Sequence, residues 1–377
     1  MKKNISSTIL DSVSLANYFF IVIIVTGVML QACNTTTPPQ SEYYTDKDFV
    51  TIKKIDAHTH VQATSHSLVK QAIKDNFILI SLNCEVPGYP PIDSQQYFAI
   101  QQRLAYPDQL YYLTTIETES RFQPGWADRQ LAYLKKSFAN GAIGIKVWKN
   151  IGMTIKDKDS NFIMIDNPMF DPIFNYLEQN HIPVCGHIGE PRACWLPLKE
   201  MTTNNDRSYF STHPEYYMYL HPEYPSYEAQ INSRDNLLKK HPSLKFVGAH
   251  LGSLEWSVDE MAKRLDRFPD MALDFAERVG HVQFQTMQNW QKVHDFFIKY
   301  QDRLIYGTDL EEDEGDEQSV IEKKAHELWI RDWKYFTSGD TLQSPLVNGK
   351  FLGLKLPKKV IDKLFYKNAM KWYLKRD

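Results

Sequence analysis

The chain has 377 residues and a formal net charge of −3, with 43% hydrophobic and 24% charged residues. This length allows one large domain, and the balanced composition excludes an intrinsically disordered chain. The slight excess of acidic residues argues against a nucleic-acid-binding protein, which would need a basic surface. We therefore expect a globular protein that acts on a small molecule. Assembly into a homo-oligomer is left open.

The first 32 residues have the order of a secretory signal peptide of the lipoprotein type. Lys2 and Lys3 precede an apolar run over residues 18–30, which is short for a membrane span. The segment LQAC at residues 30–33 resembles a bacterial lipobox, so Cys33 would be the first mature residue and carry lipid. An uncleaved anchor helix is the alternative. We expect an exported envelope protein that touches the membrane only through Cys33, and Thr35 favours the outer membrane.

Residues 33–49 are polar and contain two prolines, which is typical of a flexible tether. The tether would lead into a domain covering residues 50–377. Three further cysteines, Cys84, Cys185 and Cys194, lie in that domain. Cys84 and Cys194 could pair if their loops meet, but burial as free thiols is the simpler expectation.

From residue 51 onward, apolar strand-like runs alternate with segments of helical periodicity. This alternation predicts an α/β fold with a parallel sheet. About eight such units in this length fit a closed (β/α)8 TIM barrel, and no glycine-rich dinucleotide turn follows the first strand to favour an open sheet. The predicted strands are 51–57, 77–82, 110–116, 142–147, 182–186, 244–249, 271–275 and 303–307, and the predicted helices are 95–105, 126–139, 170–180, 227–240, 255–267 and 290–300.

Two connections are too long to be ordinary turns, and we interpret them as long loops after strands 5 and 8. The first covers residues 188–225 and is rich in aromatic residues, and the second covers residues 310–356. Loops at this end of a barrel surround the active site. A lid or substrate wall is therefore one interpretation, and a packed excursion with its own small core is the other.

Histidines and one aspartate follow several of the predicted strands. His58 and His60 end the first strand, where residues two apart face the same side and can bind one ion. His187, His250 and Asp309 end strands 5, 6 and 8. Because barrel enzymes carry their chemistry at the carboxyl ends of the strands, these side chains are expected to meet at one mouth.

The segments DAHTH (56–60), GH (186–187), AHLG (249–252) and YGTD (306–309) together resemble the amidohydrolase superfamily. The resemblance is closest to the branch with aminocarboxymuconate-semialdehyde decarboxylase-like and lactonase-like enzymes. It implies that His58, His60, His187 and Asp309 bind a divalent metal, usually zinc. It also implies that His250 is an acid/base or oxyanion-stabilising group.

This ligand set is chemically consistent with such a role. Three imidazoles and a carboxylate suit zinc and leave a position for water, whose pKa the ion would lower. Asp309 could then accept the proton of the water, and His250 could stabilise an oxyanion or protonate the leaving group. Asp309 and His250 are accordingly the predicted catalytic residues.

Lys146 has three interpretations. It closes the fourth predicted strand, and in some superfamily members a lysine at this strand is carboxylated and bridges two metal ions. It could instead bind a substrate carboxylate as an ammonium ion. The third interpretation is a side chain that extends out of the barrel rim to solvent. One ion is expected, or two if Lys146 is carboxylated.

Three functions follow from these patterns. The first is a zinc-dependent hydrolase acting on a small lactone, ester or amide. The second keeps the metal and catalyses nonoxidative decarboxylation or hydration. The third is an envelope lipoprotein that binds a ligand on a catalytically inactive barrel, and the complete ligand set argues against it.

Overall fold

The computed structural model describes residues 41–374. The predicted signal peptide, the lipid site at Cys33 and the first part of the tether lie outside the described residues. The described part is a (β/α)8 barrel, as expected. Its strands are β1 (Lys54–Gln62), β2 (Phe77–Leu82), β3 (Leu110–Thr115), β4 (Ile145–Val147), β5 (Val184–Gly186), β6 (Phe246–Gly248), β7 (Met271–Asp274), β8 (Leu304–Ile305), β9 (Leu310–Asp313) and the small hairpin β10 (Thr341–Leu342) and β11 (Phe351–Leu352).

Strands β1 to β8 are neighbours in sequence order and run parallel. The barrel closes where the backbone N–H of Ala57 donates to the carbonyl of Tyr306 at 3.0 Å. Beyond residues 306–309, β9 resumes pairing with β1. The eighth strand is therefore interrupted at its carboxyl end, at the position that carries Asp309.

Helices surround the barrel, and all six helices predicted from the sequence are present. The segment after strand 8, which we expected to be a long loop, contains a 20-residue helix. This helix is the eighth in the ring around the barrel. The helices are α1 (Ser67–Lys74), α2 (Ile92–Ala105), α3 (Trp126–Ala139), α4 (Asn150–Met153), α5 (Asp171–Gln179), α6 (Asn204–Thr212), α7 (Tyr227–Lys240), α8 (Val258–Arg267), α9 (Val279–Gln288), α10 (Trp290–Tyr300), α11 (Gln318–Thr337) and α12 (Lys358–Asp362), followed by π-helical turns at Lys363–Lys367 and Met370–Leu374.

The strands are buried on both faces, which explains their nearly continuous apolar sequences. Ile55 and Ala57 of β1 belong to one buried cluster with Ile80 and Val247 in the interior of the barrel. Residues of the opposite parity, such as Leu79 and Phe246, pack against the surrounding helices instead. This rigid scaffold fixes the positions of the strand ends that carry the predicted site.

Outside the site, the structure corrects the expected end of the tether and supports the expectation of free, buried cysteines. The tether was expected to reach residue 49, but Phe49 is buried and the Tyr44 hydroxyl donates to Asp362 at 2.8 Å, so the packed domain begins earlier. Cys84 and Cys194 are free buried thiols, which supports burial over pairing. Among residues 41–374, none of the helices has the length and apolar character needed to cross a membrane.

Candidate metal centre and active-site cavity

His58, His60 and Asp309 meet at the mouth of the barrel, as the spacing of the two histidines predicts. Asp309 Oδ1 lies 3.0 Å from His58 Nε2 and 3.2 Å from His60 Nε2. Asp309 has a φ of 70°, a left-handed conformation that turns its carboxylate toward the histidines. Gly307 allows this approach because a Cβ there would lie 2.8 Å from the Cβ of His58.

Asp56 and Asp274 hold this arrangement from behind, and sequence reasoning assigned no role to either. Asp56 Oδ1 accepts the backbone N–H groups of His58 and Thr308, which joins the ends of β1 and β8. Asp274 Oδ2 lies 2.9 Å from His58 Nδ1. The His58 ring therefore donates through Nδ1 and presents Nε2 to the cavity, the arrangement in which a carboxylate orients a metal-binding histidine.

His250 lies on a strained turn that follows β6. Residues 250 to 253 all have φ values between 56° and 63°, a left-handed run that costs free energy at each position other than glycine. Asp274 Oδ1 accepts the backbone N–H of His250 at 2.8 Å, and the Tyr227 hydroxyl donates to the Ser253 carbonyl at 2.6 Å. These bonds keep the turn in its strained conformation.

The ring of His250 has a defined protonation state. Its Nδ1 lies 3.0 Å from the carbonyl of Ala276, which can only accept, so Nδ1 carries the proton and Nε2 a lone pair. Burial lowers the pKa of His250 well below its usual value. The neutral ring is therefore a proton acceptor in its resting state, so it must gain a proton before it can act as an acid.

His187 completes the cluster of imidazoles. Its ring centre lies 4.2 Å from that of His250, which in turn lies 4.9 Å from that of His58. Burial lowers the pKa of His187 well below its usual value, so this ring is also neutral. Its buried Nε2 has no hydrogen-bond partner among the described residues. A free imidazole lone pair at this position is suited to binding a cation.

Lys146 points into the site. Its side chain is buried, and Nζ lies 3.0 Å from His58 Nε2. The interpretation in which it extends to solvent at the barrel rim is therefore wrong. The carboxylated form and the free ammonium ion remain the two interpretations of this side chain.

The donor set fits a divalent metal ion. Ligand atoms of His58, His250 and Asp309 lie within 4.8 Å of one another. His60 Nε2 lies 3.2 Å from Asp309 Oδ1, and His187 lines the same cavity. The His58 lone pair and the Asp309 oxygen also face each other at 3.0 Å, which is unfavourable without a proton or cation between them. Burial raises the pKa of Asp309, but positive charge on the imidazoles of His58 and His250 would outweigh burial and hold the pKa well below its usual range, so a cation at this position favours the ionised carboxylate.

The cluster opens into a cavity of about 420 Å³. The loop after β5 forms one wall, which supports the interpretation of that loop as a substrate wall. Part of the loop also packs into a small core of its own around Met201 and Met218. The aromatic residues that line the cavity are Tyr89, Trp148, Tyr209, Phe210 and Tyr216.

Comparison with known families identifies the chain. Residues 55–375 match the amidohydrolase family. The chain belongs to the amidohydrolase family. This match covers the whole barrel, including every strand that carries a residue of the site. No curated protein matches the sequence.

Solved structures similar to this amidohydrolase share little sequence with it. An uncharacterised TIM-barrel protein from Bordetella bronchiseptica is 15% identical, with 85% of this chain and 98% of that chain covered and a TM-score of 0.47. A 2,6-dihydroxybenzoate decarboxylase from Rhizobium is 14% identical, with 85% and 98% covered and a TM-score of 0.48. A manganese-bound 5-carboxyvanillate decarboxylase from Novosphingobium aromaticivorans is 13% identical, with 89% and 99% covered and a TM-score of 0.47. The family assignment rests on the sequence match alone.

The cavity of this amidohydrolase also contains charged residues outside the predicted metal and catalytic set. Lys149 pairs with Glu190, and both are buried. Arg278 also lines the cavity and is 8% exposed. The position of Arg278 four residues after the end of β7 was the only signal in the sequence, because no histidine or glycine marks that strand end.

Proposed function

We propose that this amidohydrolase is a metal-dependent enzyme that removes carbon dioxide from a small cyclic carboxylic acid without oxidation. The observation that carries the proposal is the buried side chain of Lys146, whose Nζ lies 3.0 Å from His58 Nε2 and which as an ammonium ion would hold a substrate carboxylate. Hydrolysis of a small lactone, ester or amide is the second candidate. The two reactions differ in whether the substrate must carry a carboxylate.

The charge at the centre of the site supports an anionic substrate. Lys146 has no carboxylate within 4.0 Å among the described residues, although buried charges are normally paired. The two positive charges of a divalent ion together with that of Lys146 would exceed the two negative charges of Asp274 and Asp309, because burial raises the pKa of the third carboxyl group, Asp56, to about 7 and favours its neutral form. A substrate carboxylate would neutralise this excess, whereas a neutral lactone, ester or amide would not.

The cavity walls support a planar, cyclic substrate. Aromatic side chains from the loops after β2, β4 and β5 line a space of about 420 Å³. Flat rings pack favourably against such walls. Together with Lys146, these walls favour an unsaturated or aromatic ring that carries a carboxylate.

We assign the metal to His58, His60, His187 and Asp309, a set of ligands suited to zinc. A divalent ion bound there would act as a Lewis acid toward the substrate oxygens. His250 accepts a proton from a ring hydroxyl through its free Nε2. Lys146 holds the carboxylate, the bond from the ring carbon to the carboxylate breaks, and carbon dioxide leaves. The electron pair stays on the ring carbon and takes a proton that Asp309 relays from solvent, and the proton held by His250 returns to the ring oxygen.

One observation favours hydrolysis as the second candidate. The lone pair of His250 Nε2 and the carboxylate of Asp309 face the same small region beside His58. Two proton acceptors around one position are what activation of a water molecule requires. In that reaction Lys146 would contact the substrate without holding the group that leaves.

Product analysis separates the two reactions. The metal-loaded protein is incubated with hydroxybenzoic acids and, separately, with small lactones and aryl esters in water enriched in oxygen-18. We expect carbon dioxide from an acid and loss of this activity in Lys146→Met, while Lys324→Met at the exposed rim of the cavity keeps it. Incorporation of oxygen-18 into hydrolysed lactone or ester, without release of carbon dioxide from any acid, would favour hydrolysis instead.

We also propose that the protein is exported and carries lipid on Cys33, which the sequence of the first 33 residues supports. Labelling of cells with radioactive palmitate tests this proposal. We expect label in the wild type and none in Cys33→Ala. Label in both proteins, or in neither, would contradict it.

A further inference from the structure

Arg278 has the features of an unfilled ligand-binding residue. It is 8% exposed, lines the active-site cavity, and its buried Nε has no hydrogen-bond partner among the described residues. Within the described part of the chain, its guanidinium donates once, to the carbonyl of Glu277 at 3.2 Å. An arginine has five N–H donors arranged to bind planar oxyanions, so most of its binding capacity is unused here.

The carboxylates around Arg278 are bound by other groups. Among residues 41–374, no carboxylate oxygen lies within 4.0 Å of a guanidinium nitrogen of Arg278, so Arg278 forms no ion pair there. Four acidic residues lie near enough to influence it and have these contacts: Asp206 with His281 at 2.8 Å, Glu277 with Asn205 at 2.7 Å, Glu190 with Lys149, and Glu255 with the backbone N–H of Arg192 at 2.9 Å. Arg278 is therefore buried among acidic groups without being paired to one.

Two further features favour an anion at Arg278. It directly precedes α9, and the first turn of a helix carries partial positive charge. Arg192 stacks on Trp256, with its guanidinium carbon 4.4 Å from the ring centre, and does not line the cavity. Arg278 is thus the arginine that the fold brings into the cavity.

From these contacts we propose that Arg278 binds a second carboxylate of the substrate, remote from the reacting group, so that the enzyme prefers dicarboxylic ring acids over monocarboxylic ones. This inference rests on the proposed function for the identity of the cavity as a substrate site. Lys146 lies in β4 and Arg278 follows β7, three strands away in the barrel, so the two side chains would contact different parts of one ring. The bidentate geometry of a guanidinium would select for a planar carboxylate.

Equilibrium binding tests this inference without requiring turnover. The probes are benzene-1,3-dicarboxylate and benzoate, titrated into metal-loaded protein and followed by calorimetry. We expect the wild type to bind the dicarboxylate at least about 10-fold more tightly, as one hydrogen-bonded ion pair would provide. In Arg278→Gln this preference should fall to about one, with benzoate binding unchanged. Lys324→Gln, a matched change at the exposed rim of the same cavity, should keep the preference.

A second variant guards against loss of folding. Arg278→Lys keeps the charge but not the planar fork, and we expect it to retain the thermal unfolding transition and only part of the preference. Equal affinity of the wild type for both probes would overturn the inference. A preference for the dicarboxylate that survives in Arg278→Gln would also overturn it. If Arg278→Gln is unfolded, an undiminished preference in Arg278→Lys would do so. Failure of decarboxylation with intact dicarboxylate preference would count against the proposed reaction alone.

Discussion

Asp274 accepts a hydrogen bond from Nδ1 of His58 at 2.9 Å, and its other oxygen accepts the backbone N–H of His250 at 2.8 Å. One carboxylate at the end of β7 therefore orients both an expected metal ligand and the expected catalytic base. Burial of Asp274 raises its pKa, but the adjacent His58, which donates a hydrogen bond to it, and the ammonium form of Lys146 outweigh burial and lower the pKa overall. The position of His58 in the site thus depends on a residue from a distant strand.

Asp274→Asn should weaken metal binding. The amide is uncharged and has only one accepting oxygen, so it cannot accept hydrogen bonds from both the His58 ring and the backbone N–H groups. The His58 ring then loses its fixed orientation. Changes to such outer partners typically cost 10- to 100-fold in metal affinity, and we expect a loss in that range of about 10-fold or more. Competition with a chelating dye measures it. Asp266→Asn, a surface carboxylate that faces Lys299, is the control, and equal affinities for all three proteins would refute this role.

Lys146→Met distinguishes the two remaining interpretations of Lys146. If the lysine is a free ammonium ion, removing its charge 3.0 Å from His58 Nε2 should raise metal affinity by about 10-fold and leave one ion per chain. If it is carboxylated and bridges two ions, the variant should lose an ion. Elemental analysis gives the metal content. We expect one ion per chain in both proteins, and two ions in the wild type would contradict this expectation.

The pair of Asp206 and His281 predicts a dependence of stability on pH. Burial raises the pKa of Asp206, but His281 and Arg278 outweigh it, and the net effect lowers the pKa to about 2. A lowered carboxylate pKa stabilises the fold fully above the unfolded value near 4, and this contribution is lost as the pH falls toward 2. Asp206→Asn should therefore unfold more easily at pH 7, by about 2 kcal/mol, and this difference should shrink below pH 4. Urea unfolding at several pH values checks this, and a difference independent of pH would exclude it.

Ser253 links the turns that carry His187 and His250. Its hydroxyl is within hydrogen-bonding distance of two carbonyls in the loop after His187, those of Ile188 at 3.0 Å and Gly189 at 2.9 Å. Ser253→Ala should lower the free energy of unfolding by about 1 kcal/mol and reduce kcat more than it changes KM. Ser211→Ala on exposed α6 is the matched control. Unchanged kcat and stability in Ser253→Ala would show that the link has no functional role.

The sequence predicted the barrel well because its strands are buried on both faces and its helices keep clear periodicity. Trp126–Ala139 and Tyr227–Lys240 were predicted to the residue. The 20-residue helix Gln318–Thr337 was missed because an acidic run precedes it and hid its start. Glu312 in that run is buried and accepts the backbone N–H groups of Ser67 and Leu68 at the start of α1, a contact across the fold that local sequence does not indicate.

The candidate site was predictable only where a residue type that commonly binds metal ions or transfers protons stands at the end of an apolar strand. His58 and His60 lie in β1, and His187, His250 and Asp309 follow apolar strands; all five line one cavity. Asp274 was missed because a lone aspartate at the end of a strand is common and its partner His58 lies 216 residues away. The strained turn at His250 was equally hidden, because its left-handed residues include Leu251 and Ser253, which normally avoid that conformation.

The central claim is that His58, His60, His187 and Asp309 gather around one divalent ion. Anomalous diffraction from crystals of the zinc-loaded protein tests it most directly. We predict one strong peak about 2.0–2.2 Å from the imidazole nitrogens and the Asp309 oxygen. A peak bound elsewhere, or no peak at this cluster in fully loaded protein, would contradict the account.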